Sequence, residues 1–102
     1  MITRNLSVPT AAIARLCRRY QVAELALFGS ALSDGFRPDS DVDFLVVFKN
    51  DDYGPWMSKL TDLEQELSAL LGRKVDLVPK RMLKWVIRDR VLASAEVVYE
   101  DR

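Results

Sequence analysis

Residues 42–48 read VDFLVVF, and this stretch decides the fold. Asp43 is the single polar residue in an otherwise apolar run. A run of this kind is typical of a central strand that is covered on both faces, because an edge or half-exposed strand would alternate polar and apolar residues. We therefore expect residues 42–48 to form a buried strand in the middle of a sheet.

Hydrophobic periodicity and turn residues on either side of this run predict the other elements. Apolar residues at helical spacing indicate helices over 7–21 and 56–71, the second ended by Gly72. Short apolar runs indicate strands over 25–28, 75–78 and 97–99, with a further helix over 82–93, a loop over 31–40 and a polar turn over 49–53. The order predicts an α/β (α+β) fold in a single domain, 1–102.

Charge and residue content exclude several classes of function. Fifteen basic residues balance fifteen acidic ones, so direct nucleic-acid binding is not expected. The chain has no histidine and one cysteine, Cys17, which excludes serine–histidine and cysteine–histidine catalysis as well as a disulfide framework. Cys17 lies on the apolar stripe of the first helix, and we expect it to be a small buried residue. Any metal would be bound by oxygen, which favours Mg²⁺.

Targeting signals and membrane spans are not apparent. The first twenty residues contain four arginines and no apolar core of a signal peptide, and no apolar run is long enough to cross a bilayer. We therefore expect a cytoplasmic protein with no membrane association.

Three aspartates indicate a site for catalysis. Asp41 and Asp43 lie two residues apart where the central strand begins, so their carboxylates project from the same face. Two carboxylates about 4 Å apart repel by roughly 4 kcal/mol at an effective dielectric constant near 20, unless a cation lies between them. Asp76 interrupts the apolar strand that follows the second helix, and it could reach this pair if the two strands are neighbours. Three aspartates could then bind two Mg²⁺ ions for in-line phosphoryl or nucleotidyl transfer.

Gly29 and Ser30 end the first predicted strand. Glycine allows a tight turn and close approach of a phosphate, and Ser30 can cap the following turn, whose N–H groups favour an anion. A triphosphate could therefore lie between this turn and the metal ions. Each of these motifs alone is common in turns and at strand ends, whereas their combination is far more specific.

The combined pattern, Gly29-Ser30, ten residues, Asp41-x-Asp43 and a later strand aspartate at Asp76, resembles the DNA polymerase β-like nucleotidyltransferase superfamily. The small size and the stretch RPDSDVDFLV are most similar to the minimal nucleotidyltransferases. The resemblance implies a small mixed β-sheet with helices packed on it. It also implies metal binding by Asp41, Asp43 and Asp76, and phosphate binding by Gly29 and Ser30.

The same resemblance implies a function. Members of this subgroup commonly act as antitoxins of HEPN-domain ribonuclease toxins. The chain would transfer AMP from ATP to a tyrosine of such a toxin, with Mg²⁺ as cofactor and the toxin as partner in a hetero-oligomer. One departure is Ser33, which stands where many relatives have an arginine, with Asp34 next to it and Arg37 available in the same loop.

Two other functions remain open. The chain could mask a toxin by contact alone, without catalysis, or it could transfer nucleotides to a small molecule or to RNA. Aromatic residues near Trp56 and Trp85 are typical of a partner surface, although they could equally complete the core of a small domain.

Overall fold

The central strand is one of four in a mixed sheet. In this computed structural model, residues 8–29, 41–83 and 91–101 are described. The strands are β1 (Val22–Phe28), β2 (Val42–Phe48), β3 (Val75–Pro79) and β4 (Glu96–Glu100), and they lie in the order β3-β2-β1-β4. β1 pairs antiparallel with both β2 and β4, whereas β2 and β3 are parallel. The predicted α/β (α+β) class and the mixed sheet are confirmed.

Two helices cover one face of this sheet. They are α1 (Thr10–Arg19) and α2 (Ser58–Leu71). Ile13 and Cys17 of α1 and Leu63 and Leu67 of α2 are fully buried in the hydrophobic core. The α2 helix ends at Gly72, whose φ of 65° is the left-handed conformation that glycine adopts without strain.

In β2, β3 and most of β1, the core side chains come from alternate positions, because successive side chains of a strand point to opposite faces. A bulge between Val22 and Glu24 interrupts the alternation once in β1. The strand residues in the core are Val22, Leu25, Leu27, Val42, Phe44, Val46, Phe48, Val75 and Leu77. Asp43 and Asp76 alternate with these residues, so they lie on the opposite face, which we call the acidic face. Leu45, also on that face, is 1% exposed, as expected for a central strand covered on both sides.

A partly buried ion pair crosses the acidic face. Lys80, directly after β3, donates from its Nζ to Glu24 Oε2 of β1 at 3.1 Å, and Glu24 is buried. The pair spans β2, which lies between β1 and β3. It therefore links the edge strand β3 to the middle of the sheet.

Several predicted boundaries differ from the structure. The α1 helix begins at Thr10 instead of residue 7, with Pro9 just before it, and α2 begins at Ser58 because Trp56 and Met57 have left-handed backbone angles. The helix predicted over 82–93 does not include its first residues: Met82 ends a short 3₁₀ turn and Leu83 is extended, whereas residues 91–94 are helical. Residues 84–90 and most of the predicted loop 31–40 lie outside the described part of the chain.

The structure tests the predicted burial of Cys17 and the two alternatives for Trp56. Cys17 is buried as expected, and burial raises the pKa of its thiol to about 12, so it stays protonated and unreactive at neutral pH. Trp56 is 99% exposed, so the alternative that it completes the core is wrong. Trp85 lies outside the described residues.

Candidate active site

The register of the parallel pair brings two of the predicted aspartates together. Asp43 of β2 and Asp76 of β3 are direct partners across the strands, and both lie on the acidic face. Neighbouring strands are about 4.8 Å apart, so these two carboxylates start from adjacent backbone positions. The pairing follows from the chain direction, because α2 returns the chain to the start of β2 and lets β3 run parallel to it.

Asp41 lies one residue before β2 and is exposed. The Lys74 Nζ is 3.8 Å from its Oδ2 atom, an ion pair between two largely exposed side chains. Exposed pairs of this kind contribute about 1 kcal/mol or less to stability. Lys74 precedes β3 as Asp41 precedes β2, so the pair stands at the same end of the sheet as Asp43 and Asp76.

Gly29 lies directly after β1, next to Asp43 at this end of the sheet. Its φ is 77°, and a Cβ built on it would lie 3.2 Å from Cγ of Asp43 and closer still to Oδ2 of the same carboxylate. Phe28, the residue before it, is the direct partner of Asp43 across β1 and β2. A side chain at position 29 would therefore displace the Asp43 carboxylate. Glycine is therefore favoured at position 29 for two separate reasons, its left-handed φ and the space that the Asp43 carboxylate occupies.

Several residues predicted to belong to the site lie outside the described part of the chain. Ser30 lies outside the described residues, as do Ser33, Asp34 and Arg37. Within 8–29, 41–83 and 91–101, no three acidic side chains are gathered closely enough to hold a metal ion. The structure thus brings Asp43 beside Asp76 with Asp41 nearby, and the three-aspartate cluster itself remains a prediction.

The donor set nevertheless fits a hard cation. The side chains at this end that could bind a metal are carboxylates, and Mg²⁺ prefers oxygen ligands. Mg²⁺ rarely relies on a cage made only of protein groups and usually keeps water and substrate phosphates in its shell. Two adjacent carboxylates with a third nearby are therefore compatible with Mg²⁺.

A cavity of about 280 Å³ lies elsewhere, between α1 and α2. It is lined by residues such as Arg15, Arg19, Glu66 and Leu70. Arg19 and Tyr20 both donate to the carboxylate of Glu66 at this place. Because the helices cover the other face of the sheet, this cavity is separate from the aspartates.

Sequence reasoning did not select Lys74, Glu64 or Ser68, all of which lie close to the site in the structure. Lys74 contacts Asp41, and the side chains of Glu64 and Ser68 contact the backbone of β3. Their sequence signal is weak, because a charged or polar residue on a helix or before a strand is ordinary. The ion pair between Lys74 and Asp41 had one possible signal in the sequence, because each residue directly precedes a predicted strand.

No helix in the described ranges combines the length and the apolar character needed to cross a membrane.

Comparison with known proteins identifies the family. A family model described as the nucleotidyltransferase domain matches residues 11–98. The protein adenylyltransferase MntA of Thermococcus cleftensis is 44% identical over 93 residues, which cover 91% of this chain and 89% of that relative.

Solved structures agree on the fold. A structure provisionally described as a minimal nucleotidyltransferase has a TM-score of 0.68 at 35% identity, covering 84% of this chain and 85% of the other. A crystal structure of a toxin–antitoxin with AMP-PNP has a TM-score of 0.72 at 24% identity, covering 93% of this chain and 76% of the other, and at this identity it supports the fold alone. The chain therefore belongs to the nucleotidyltransferase domain family, as a homologue of the protein adenylyltransferase MntA, and its class of activity is nucleotidyl transfer.

Proposed function

We propose that this chain is the antitoxin of a toxin–antitoxin pair and that it transfers AMP from ATP to a tyrosine of a HEPN-domain ribonuclease toxin. The observation that carries the proposal is the alignment of Asp43 with Asp76 beside Gly29 on the acidic face. The similarity to MntA supports a protein as acceptor, because that relative is named a protein adenylyltransferase. Binding of AMP-PNP is a property of the more distant toxin–antitoxin structure, and ATP as substrate is part of the proposal.

The proposed reaction forms one bond and breaks one. The tyrosine oxygen of the acceptor attacks the α-phosphorus of ATP, and the bond between that phosphorus and the bridging oxygen to the β-phosphate breaks. Pyrophosphate leaves, and the tyrosine proton passes to Asp76 as general base. Asp41, Asp43 and Asp76 would hold Mg²⁺, which, when bound, neutralises the negative charge that develops on the phosphates.

The chain's own residues would position the substrate. Gly29 leaves the Asp43 carboxylate in place and lets a phosphate approach the backbone, and Ser30 would bind that phosphate. Lys74 supplies a positive charge next to Asp41. Since no covalent intermediate with the protein is needed, most of the rate gain would come from positioning and charge stabilisation.

We further propose that residues 1–102 form one nucleotidyltransferase domain, which acts in the cytoplasm and forms a hetero-oligomer with its toxin. Its single free cysteine, Cys17, is compatible with a reducing compartment.

The first prediction tests the catalytic residues. Asp41 and Asp43 are changed together to Asn, and transfer of label from α-labelled ATP to the toxin is measured with saturating Mg²⁺. We expect a loss of at least about 10³-fold, because several kcal/mol of charge stabilisation depend on the metal. The control, Asp51→Asn with Asp62→Asn, removes two exposed carboxylates elsewhere and should transfer label at the wild-type rate.

The same assay distinguishes the alternatives. Undiminished transfer by the Asn variant would contradict the mechanism. A wild-type chain that neutralises the toxin without adding mass in steps of one AMP would instead indicate masking by contact. Transfer of label to a small molecule or RNA, with the toxin left unlabelled, would indicate the third function.

A further inference from the structure

The edge strand β3 carries Asp76, and its outer side needs hydrogen-bond partners. Among the described elements, β3 has β2 as its neighbour on one side. The Val42 N–H donates to the Lys74 carbonyl oxygen at 2.9 Å, which sets the hydrogen-bonding pattern of this parallel pair. Alternate residues of a parallel strand bond to the same neighbour, so the N–H groups of Val75 and Leu77 point away from β2.

Side chains of α2 accept hydrogen bonds from both of these outward N–H groups. The Val75 N–H donates to Ser68 Oγ at 3.0 Å, and the Leu77 N–H donates to Glu64 Oε2 at 2.9 Å. Glu64 and Ser68 are four residues apart and therefore lie on one face of the helix. The Ser68 hydroxyl donates to the Glu64 carbonyl oxygen at 2.9 Å, so its oxygen is oriented to accept from β3.

These two hydrogen bonds flank Asp76 on either side. A shift of β3 by one residue would turn every side chain of the strand to the opposite face, and Asp76 would leave the acidic face. Such a shift would also offer the Asp76 N–H to α2 in place of the two N–H groups now bound. The contacts of α2 therefore favour the one register in which Asp76 lies beside Asp43.

We propose that Glu64 and Ser68 are positioning residues, which hold the outer edge of β3 and thereby keep the Asp76 carboxylate next to Asp43. Their catalytic effect rests on the proposed function. Neither residue needs to touch the nucleotide or the metal. They act through the backbone of the strand that carries Asp76.

The test compares Glu64→Ala, Ser68→Ala and the double variant with a matched control. Glu66→Ala removes a carboxylate from the same helix, but Glu66 contacts Arg19 at the end of α1 and Tyr20 directly after it, instead of β3. Three quantities are measured on the full chain, well below its melting temperature. They are amide hydrogen exchange at residues 75 and 77, the affinity for Mn²⁺ added alone, and the kcat and KM for ATP in transfer to the toxin.

We expect faster exchange of both amides in the double variant and an Mn²⁺ affinity about 10-fold lower, at the low end of the range for groups that orient metal-binding residues. The kcat should fall by a similar factor with little change in the KM for ATP. Glu64→Gln keeps an acceptor oxygen and should recover most of the wild-type values. Glu66→Ala should match the wild type in Mn²⁺ affinity and kcat, and its exchange at residues 75 and 77 should rise by no more than its loss of unfolding free energy accounts for.

Two results would overturn the proposal. The first is amide exchange at 75 and 77 that does not change in any of the variants. The second is faster exchange with Mn²⁺ affinity and kcat at the level of Glu66→Ala, which would leave Glu64 and Ser68 a structural role alone. If the double variant fails to fold, the milder Ser68→Ala, which removes one acceptor, decides the question.

Failure of the proposed function would look different. A wild-type chain that transfers no AMP, and whose Mn²⁺ affinity does not change in Asp43→Asn, would contradict the enzyme itself and with it the catalytic effect. Amide exchange at 75 and 77 would still show whether α2 holds β3.

Discussion

Gly29 combines two constraints on one backbone position. Its φ of 77° belongs to the left-handed region, and its missing Cβ leaves space for the Asp43 carboxylate. Gly72 has a similar φ of 65°, but a Cβ there would meet no atom within 4 Å. The two glycines therefore share the backbone constraint, and only Gly29 has the steric one.

This difference gives a matched pair of variants. We expect Gly72→Ala to cost about 1–2 kcal/mol of unfolding free energy, from left-handed strain alone, with little loss of AMP transfer. Gly29→Ala should carry the same strain and also move the Asp43 carboxylate, so its kcat should fall by about 10²-fold. Urea unfolding and label transfer on both variants check this expectation. Equal activity of the two would mean that the position of Asp43 does not depend on Gly29.

At the scale of elements, α1 and α2 are joined by one carboxylate. Glu66 of α2 accepts from Arg19 Nη1 at 3.0 Å and from the Tyr20 hydroxyl. The hydrogen bond to Glu66 is the main cause that raises the pKa of Tyr20 to about 12, with burial and the nearby negative charges adding to it. The proton on Tyr20 is therefore held more tightly in the folded chain than in the unfolded one.

The pH dependence of stability follows from the direction of this shift. Because the folded pKa lies above the usual value near 10, the stabilisation is fully present below pH 10 and is lost as the pH rises towards 12. Tyr20→Phe should therefore be less stable than the wild type at pH 8, and the difference should disappear between pH 10 and 12. Urea unfolding of both chains across this range measures it.

A control isolates the hydrogen bond. In a Glu66→Gln background, the same Tyr20→Phe change should show a much weaker pH dependence, because the charged acceptor is gone. A difference between wild type and Tyr20→Phe that stays constant up to pH 12 would contradict the role of this link.

At the scale of the whole molecule, the aspartates and the exposed aromatic residue lie at opposite ends of the sheet. Asp43 and Asp76 are near the starts of β2 and β3, whereas Trp56 follows the end of β2. Trp56 is 99% exposed and has a left-handed backbone, and Met57 next to it is partly exposed with the same conformation. The Trp56 side chain therefore has no role in the core, although its backbone is strained. We predict that this end of the molecule binds the partner.

Trp56→Asn tests this surface, since asparagine tolerates the left-handed conformation. The unfolding free energy should change by no more than about 0.5 kcal/mol, because the indole contributes little to the core. The affinity for the toxin should fall by about 10-fold or more. Val97→Thr, at an exposed position of the edge strand β4, is the control and should leave affinity unchanged. Wild-type affinity in Trp56→Asn would place the toxin on another surface.

Local pattern alone determined much of this protein. The apolar run 42–48 and the leucine-rich helix ended by Gly72 are set by residues close together in the chain, and so the types and the order of the four strands, α1 and α2 could be read from the sequence. The identities of the aspartates and their resemblance to a nucleotidyltransferase pattern were available in the same way. Helix starts were less accurate, because left-handed residues such as Trp56 and Met57 have no clear local signal.

Only the tertiary structure decided how these parts meet. The parallel register that places Asp76 opposite Asp43, the acceptors that Glu64 and Ser68 offer to β3, and the exposure of Trp56 all depend on contacts between segments far apart in the chain. Periodicity tells which face of a strand is apolar, but it carries no information on which strand lies beside it or in what register. That choice is made by the burial of both helices against the whole sheet at once.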